Sequence, residues 1–133
     1  MKNFLPAAVL LSLASTSGAS EPLPEVQRAN IEYPSPKAAH DALRSKQGVD
    51  FSHDDAGWIV ASDKSTGAIW SFAPNPSFPV AVKRTPMERN GQLFMAMDVL
   101  CRGSKQDCDD VVRRYTAINA QIAREMAAKR DRN

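Results

Sequence analysis

The sequence predicts an α+β fold: a two-layer domain of about five antiparallel strands, flanked by a short N-terminal helix and a long C-terminal helix. Three observations carry this. Closely spaced runs of alternating residues, separated by turn signals, fill residues 49–101. An apolar stripe of helical period follows them: Val111, Tyr115, Ile118, Ile122 and Met126 recur at spacings of four, three, four and four. Ahead of the strands, Ser35 precedes Pro36, a capping hydroxyl followed by proline at the first helical position. A small barrel with an attached helix is the other arrangement that the strand count allows.

Each element has its own signal. After Ser35, the segment SPKAAHDALRSK places Ala39, Ala42, Leu43 and Lys46 on one face, and Gly48 can end the turn that follows. The first strand is VDFSH, the second WIVASD, the third AIWSF, with DDAG and KSTG as turns. Trp58, Trp70 and Phe72 are expected to share one sheet face as core. VAVKRT forms the fourth strand, expected to end at Pro86, which cannot donate to a ladder. Asn90-Gly91 is a strong hairpin signal, because both positions accept positive φ. LFMAMDVLC is the fifth strand, apolar on both faces. Ser104 caps the last helix, and Asp107, Asp109 and Asp110 lie in its first turns, where the helix dipole favours negative charge. Both helices are expected to lean on the same sheet face.

The chain divides into three segments. Residues 1–20 read as a secretory signal peptide: an early Lys2, an apolar stretch from Phe4 to Leu13, then small residues. That stretch is shorter than the roughly 20 residues that span a bilayer. Residues 21–34, with Pro22, Pro24 and Pro34, form an extended arm, and residues 35–133 a single domain. Localisation is therefore periplasmic, or secreted, after cleavage. In that oxidising setting Cys101 and Cys108, the two cysteines present, pair as one disulfide.

The function classes narrow by exclusion. A formal charge of +2 on 133 residues is too balanced for a protein built to bind nucleic acid. Glycines are scattered through turns, so no phosphate cradle or dinucleotide loop is present. No Gly-x-Ser-x-Gly elbow marks a serine hydrolase. No catalytic residue, metal or cofactor is assigned. His40 and His53, with Asp41, Asp54 or Asp55 nearby, are the alternative: a small envelope enzyme or metal site. Asp54, Asp55, Asp63 and Asp98 are the carboxylates to weigh, Asp98 because it needs a partner such as Lys83 or Arg84 within an apolar strand. A carrier of a small apolar ligand, held between sheet and helix, is a third class.

The leading expectation is a small non-enzymatic protein that binds a protein or polymer of the cell envelope, as an inhibitor, immunity protein or accessory factor. Its candidate contacts are Phe78 and Pro76 in the stiff loop APNPSFP, where a preordered aromatic loses little entropy on docking. Lys83, Arg84 and Arg89 are the candidate basic contacts toward an acidic partner.

Overall fold

The computed structural model describes residues 31–75 and 79–133. The signal reading for 1–20, the arm up to residue 30, and the loop candidates Pro76 and Phe78 lie outside the described residues. Helix α1 spans Pro36–Arg44 and strand β1 Val49–His53; β2 is Ile59–Asp63, β3 Ile69–Phe72, β4 Val80–Arg89, β5 Gln92–Cys101, and helix α2 Lys105–Asp131. All five strands form one antiparallel sheet in chain order, with β1 and β5 at its edges. The sheet is open and does not close into a barrel.

The local rules explain where the elements begin. Ser35 Oγ accepts from Ala38 N–H at 3.1 Å, and Pro36 opens α1. Ser104 Oγ accepts from Asp107 N–H at 3.1 Å and opens α2. Asn90 and Gly91 have φ of 53° and 74°, the two left-handed residues that a two-residue hairpin turn of this hand requires. The fourth strand does not end at Pro86. It runs on to Arg89, because β3 stops at the Ile69↔Arg84 pair. Beyond that pair β4 has no neighbour on its β3 side, so the missing proline donor leaves no ladder bond unmade there.

The α+β class, the five antiparallel strands and the short first and long last helix are as expected. The helices do not share one face; each makes its own two-layer contact with the sheet, on opposite sides. Ala39 and Leu43 of α1 pack with Ala61, Trp70, Phe72 and Ala81, joined by Ile31 and Tyr33 from the end of the arm. Val111 and Tyr115 of α2 pack with Trp58, Val80 and Val82, joined by Met97 and Val99. Strand alternation forces this split, since adjacent residues of β4 point to opposite faces. It also separates the aromatic set. Trp70 and Phe72 stack on the α1 side with ring centroids 6.2 Å apart, whereas Trp58 meets Tyr115 on the α2 side at 5.4 Å.

The predicted α2 stripe is correct in identity, but its burial fades along the helix. Val111 and Tyr115 are buried, while Ile118, Ile122 and Met126 are half-buried. The reason is the narrowing floor: past Arg84 only the β4–β5 ribbon lies beneath the helix.

Asp63 is the buried acid of the sheet, 4% exposed. Lys46 Nζ lies 2.6 Å from its Oδ2, and Ser65 donates to Oδ1 through its backbone N–H and its hydroxyl. Burial pushes the carboxyl up, but these hydrogen bonds outweigh it and hold the group well below the usual carboxylate range. Lys46 therefore does not extend the apolar face of α1; it ties the residues after that helix to β2.

Two outcomes are expected. Leu43→Ala removes the largest α1 anchor and should cost about 3 kcal/mol, against less than about 0.5 kcal/mol for Leu93→Ala at an exposed site, both read from urea midpoints. Equal costs would mean that α1 does not hold the sheet. For Asp63, the depressed folded pKa means that its stabilisation is complete above the unfolded value of about 3.9 and is lost as pH falls from there. The stability gap between the wild type and Asp63→Asn should therefore shrink below about pH 4. A gap that stays constant to pH 2 would contradict the ion pair.

Candidate binding surface

The three basic candidates on β4 do not act together. Lys83 and Arg89 point to the α1 side of the sheet, in one row with Thr85 and Met87. Arg84 points to the other side and is 7% exposed. It is covered by Tyr115, so it is not a surface contact as the sequence suggested. Alternation within the strand is the reason. Lys83 is held: its Nζ lies 3.1 Å from Glu32 and 5.3 Å from the Trp70 ring centroid. The Arg89 guanidinium sits 5.2 Å over the ring of Phe94, which is half-buried opposite Met87, 46% exposed.

The ribbon formed by the outer halves of β4 and β5 has a free edge. β5 has no strand neighbour beyond it among the described residues. Its residues 94–101 are all half-buried, on both faces, and Leu93 is 44% exposed. Among its ten residues Asp98 is the single charge, placed opposite Lys83 in the ladder. The other edge differs. β1 has five residues, with Asp50, Ser52 and His53 exposed, and Asp50 pairs with Lys64 at 2.7 Å. A short charged edge resists pairing, and a long apolar one invites it.

At the ribbon tip, α2 and β5 enclose a shallow cleft of about 300 Å³ lined by Leu93, Ala123, Met126, Ala127 and Arg130. Arg130 donates from Nη1 to the carbonyl of Gly91 at 2.8 Å, which fixes the helix end to the hairpin turn. The turn geometry, the apolar stripe and the basic helix end therefore meet at one place.

The histidines are set apart from one another in character. His40 lies edge-on between Phe51 and Phe72, at 5.7 and 5.2 Å, and its Nε2 is buried with no hydrogen-bond partner among the described residues. His53 is exposed at the end of β1. No group of three or more His, Cys, Asp or Glu among the described residues is placed to hold a metal ion. Asp54 does structural work instead: its Oδ1 accepts from Ala56 N–H and Trp58 N–H, each at 2.9 Å, and its Oδ2 faces Arg114 of α2 at 3.3 Å.

That last contact belongs to a cluster that sequence reasoning missed. The Arg114 guanidinium lies 5.0 Å over Trp58 and 5.6 Å over Tyr115, and Arg84 lies 5.1 Å over the same phenol ring. Arg114 adjoins the stripe residue Tyr115 in sequence, and nothing in the spacing announces the convergence of three separate segments.

Cys101 and Cys108 are bonded, with Cα atoms 5.8 Å apart, and join the end of β5 to the first turns of α2. No helix among the described residues is long and apolar enough to cross a membrane. Comparison with protein-family models, with curated proteins and with solved structures finds no match for this chain.

The disulfide closes a loop of sequence separation 7. Replacing both cysteines by alanine is expected to lower stability by about 2.5 kcal/mol through chain entropy alone. Unfolding should stay cooperative, since the contacts of Val80, Val82 and Tyr115 remain. Loss of a single cooperative urea transition would show that the bond, and not packing, holds α2 in place.

Proposed function

We propose that this is a small exported, non-enzymatic protein that binds another macromolecule of the cell envelope, taking up an extended segment of it as a sixth strand along β5. The observation that carries the reading is the ten-residue edge of β5, without a strand neighbour among the described residues, apolar on both faces and with one charge, Asp98, in ten residues where β1 has Asp50 in five. Strand addition draws affinity from main-chain hydrogen bonds, and specificity from the side chains that alternate along the edge. A strand of this length offers roughly 34 Å of pairing surface.

The surroundings support a partner with acidic flanks. The ribbon tip and the far half of α2 carry Arg89, Arg124, Lys129, Arg130 and Arg132 against Glu88, Glu125 and Asp131. Such a balance steers an acidic segment toward the edge more than it adds to affinity. Export rests on the signal-like residues 1–20, and the Cys101–Cys108 bond is compatible with an oxidising compartment outside the cytoplasm.

The test is site-specific photo-crosslinking in the envelope. A crosslinker at Leu93, on the β5 edge, is expected to give a discrete adduct, and one at Ser52, on the β1 edge, none. Leu93→Lys should abolish the adduct formed from a neighbouring position, Met95, and leave the melting temperature unchanged. Equal labelling from both edges, or none from Leu93, would overturn the strand-addition reading.

A further inference from the structure

Arg84 is a buried cation with too few acceptors. It is 7% exposed, and its one polar contact among the described residues is from Nη2 to Ser71 Oγ at 3.5 Å. Its Nε is buried with no hydrogen-bond partner, and so is the hydroxyl of Tyr115, a residue 2% exposed. The Tyr115 hydroxyl lies beside Ser71. Three polar groups thus converge from β3, β4 and α2: a guanidinium, a phenol and a serine hydroxyl. The guanidinium has five N–H donors and no acceptor, and of the two hydroxyl oxygens beside it only Ser71 Oγ accepts from it, so donors of Arg84 are left over.

The nearby acid is already engaged. Asp54 holds Arg114 and two backbone N–H groups, and its field reaches Arg84 only through space. Two cations, Arg84 and Arg114, lie against the Tyr115 ring beside that one carboxylate. The cluster is therefore one positive charge in excess. An unpaired charge in a low-dielectric site is costly, and a planar anion with two oxygens matches the guanidinium fork.

The corner itself is buried, but the sheet around it is not fully covered. α2 lies over β5, and the same face of the sheet along β1–β3 carries Val60, Ser62 and Ile69, each half-buried, and the exposed Ser52.

We infer that this corner, formed by Arg84, Ser71 and Tyr115, seats the carboxylate of a monoanionic ligand. The Arg84 fork and the Tyr115 hydroxyl donate to its two oxygens, and Arg114, which also lies against the Tyr115 ring, adds field. A monoanion neutralises the excess charge, whereas a dianion overshoots it. The carboxylate can belong to a free small acid or to an acidic side chain on a docked chain. The seat faces α2, away from the β5 edge, so it stands or falls independently of strand addition.

The experiment is a thermal-shift titration of the purified protein with sodium acetate, exchanged against sodium chloride at constant ionic strength. A saturable rise in melting temperature is expected for the wild type and none for Arg84→Met. Without acetate, Arg84→Met should be no less stable than the wild type, because an apolar side chain of similar length replaces an unpaired buried charge. Tyr115→Phe, which keeps the ring, should weaken the acetate response about tenfold. If Arg84→Met does not fold, Tyr115→Phe and the shift of the Arg84 Nε–H resonance during the titration decide the matter. Two capped pentapeptides, one with a central glutamate and one with glutamine, separate the sources. Tighter binding of the glutamate peptide than of acetate assigns the seat to a side chain, and binding no tighter than acetate assigns it to a free acid. No acetate response in the wild type, or the same response in Arg84→Met, would overturn the proposal.

Discussion

Strand β4 carries the load of both layers at once. Val80 and Val82 are 1% and 0% exposed on the α2 side, and Ala81 between them is 0% exposed on the α1 side. Its neighbour β3 is covered almost as fully, with Trp70, Ser71 and Phe72 buried on alternating faces, but of the two only β4 takes its buried contacts from both helices. Small and β-branched residues suit that place, because a longer side chain at Ala81 would displace Leu43 or Phe72. The two helices never need to touch: each packs against its own side of the same short segment. Removing either layer exposes one face of β4 and weakens the ladder that the other layer rests on.

The surfaces open to partners follow from where that support ends. Double coverage stops at Arg84, where β3 ends, and the β4–β5 pair continues alone to the Asn90-Gly91 turn. A two-stranded ribbon is marginal by itself, and here it borrows stability from the far half of α2, from Arg130 at the turn, and from the disulfide at its base. Its outer edge has no strand neighbour among the described residues. On the same side of the sheet as α2, the helix leans toward β5 and leaves β1–β3 open, which creates the corner at Arg84. Both candidate surfaces are thus consequences of one long helix laid over two strands of a five-stranded sheet.

Much of this was legible in the residues. Alternation located all five strands, the Ser35 and Ser104 caps located both helix starts, and the pairing of Cys101 with Cys108 followed from there being two cysteines. What sequence could not supply was register across strands. It takes the Ala61↔Trp70 and Lys83↔Trp70 pairs to see that Trp58 and Trp70 face opposite ways, and that Lys83 and Arg84 part company. Pro86 misled because a proline halts a strand only where its nitrogen must donate. The Arg84–Tyr115–Arg114–Asp54 cluster was invisible for the same reason, since its members come from β4, α2 and the β1–β2 turn. Phe78, the favoured anchor on sequence grounds, lies outside the described residues and draws no support from the fold.

Native-state hydrogen exchange measures the dependence on β4 most directly. If both layers rest on that strand, amides at 39–43 in α1, at 81–82 in β4 and at 111–115 in α2 open together, with one shared free energy equal to that of global unfolding. Amides at 92–95 near the ribbon tip then exchange through smaller openings. Separate plateaux for α1 and α2, with β4 following only one of them, would contradict the claim that a single strand couples the two layers.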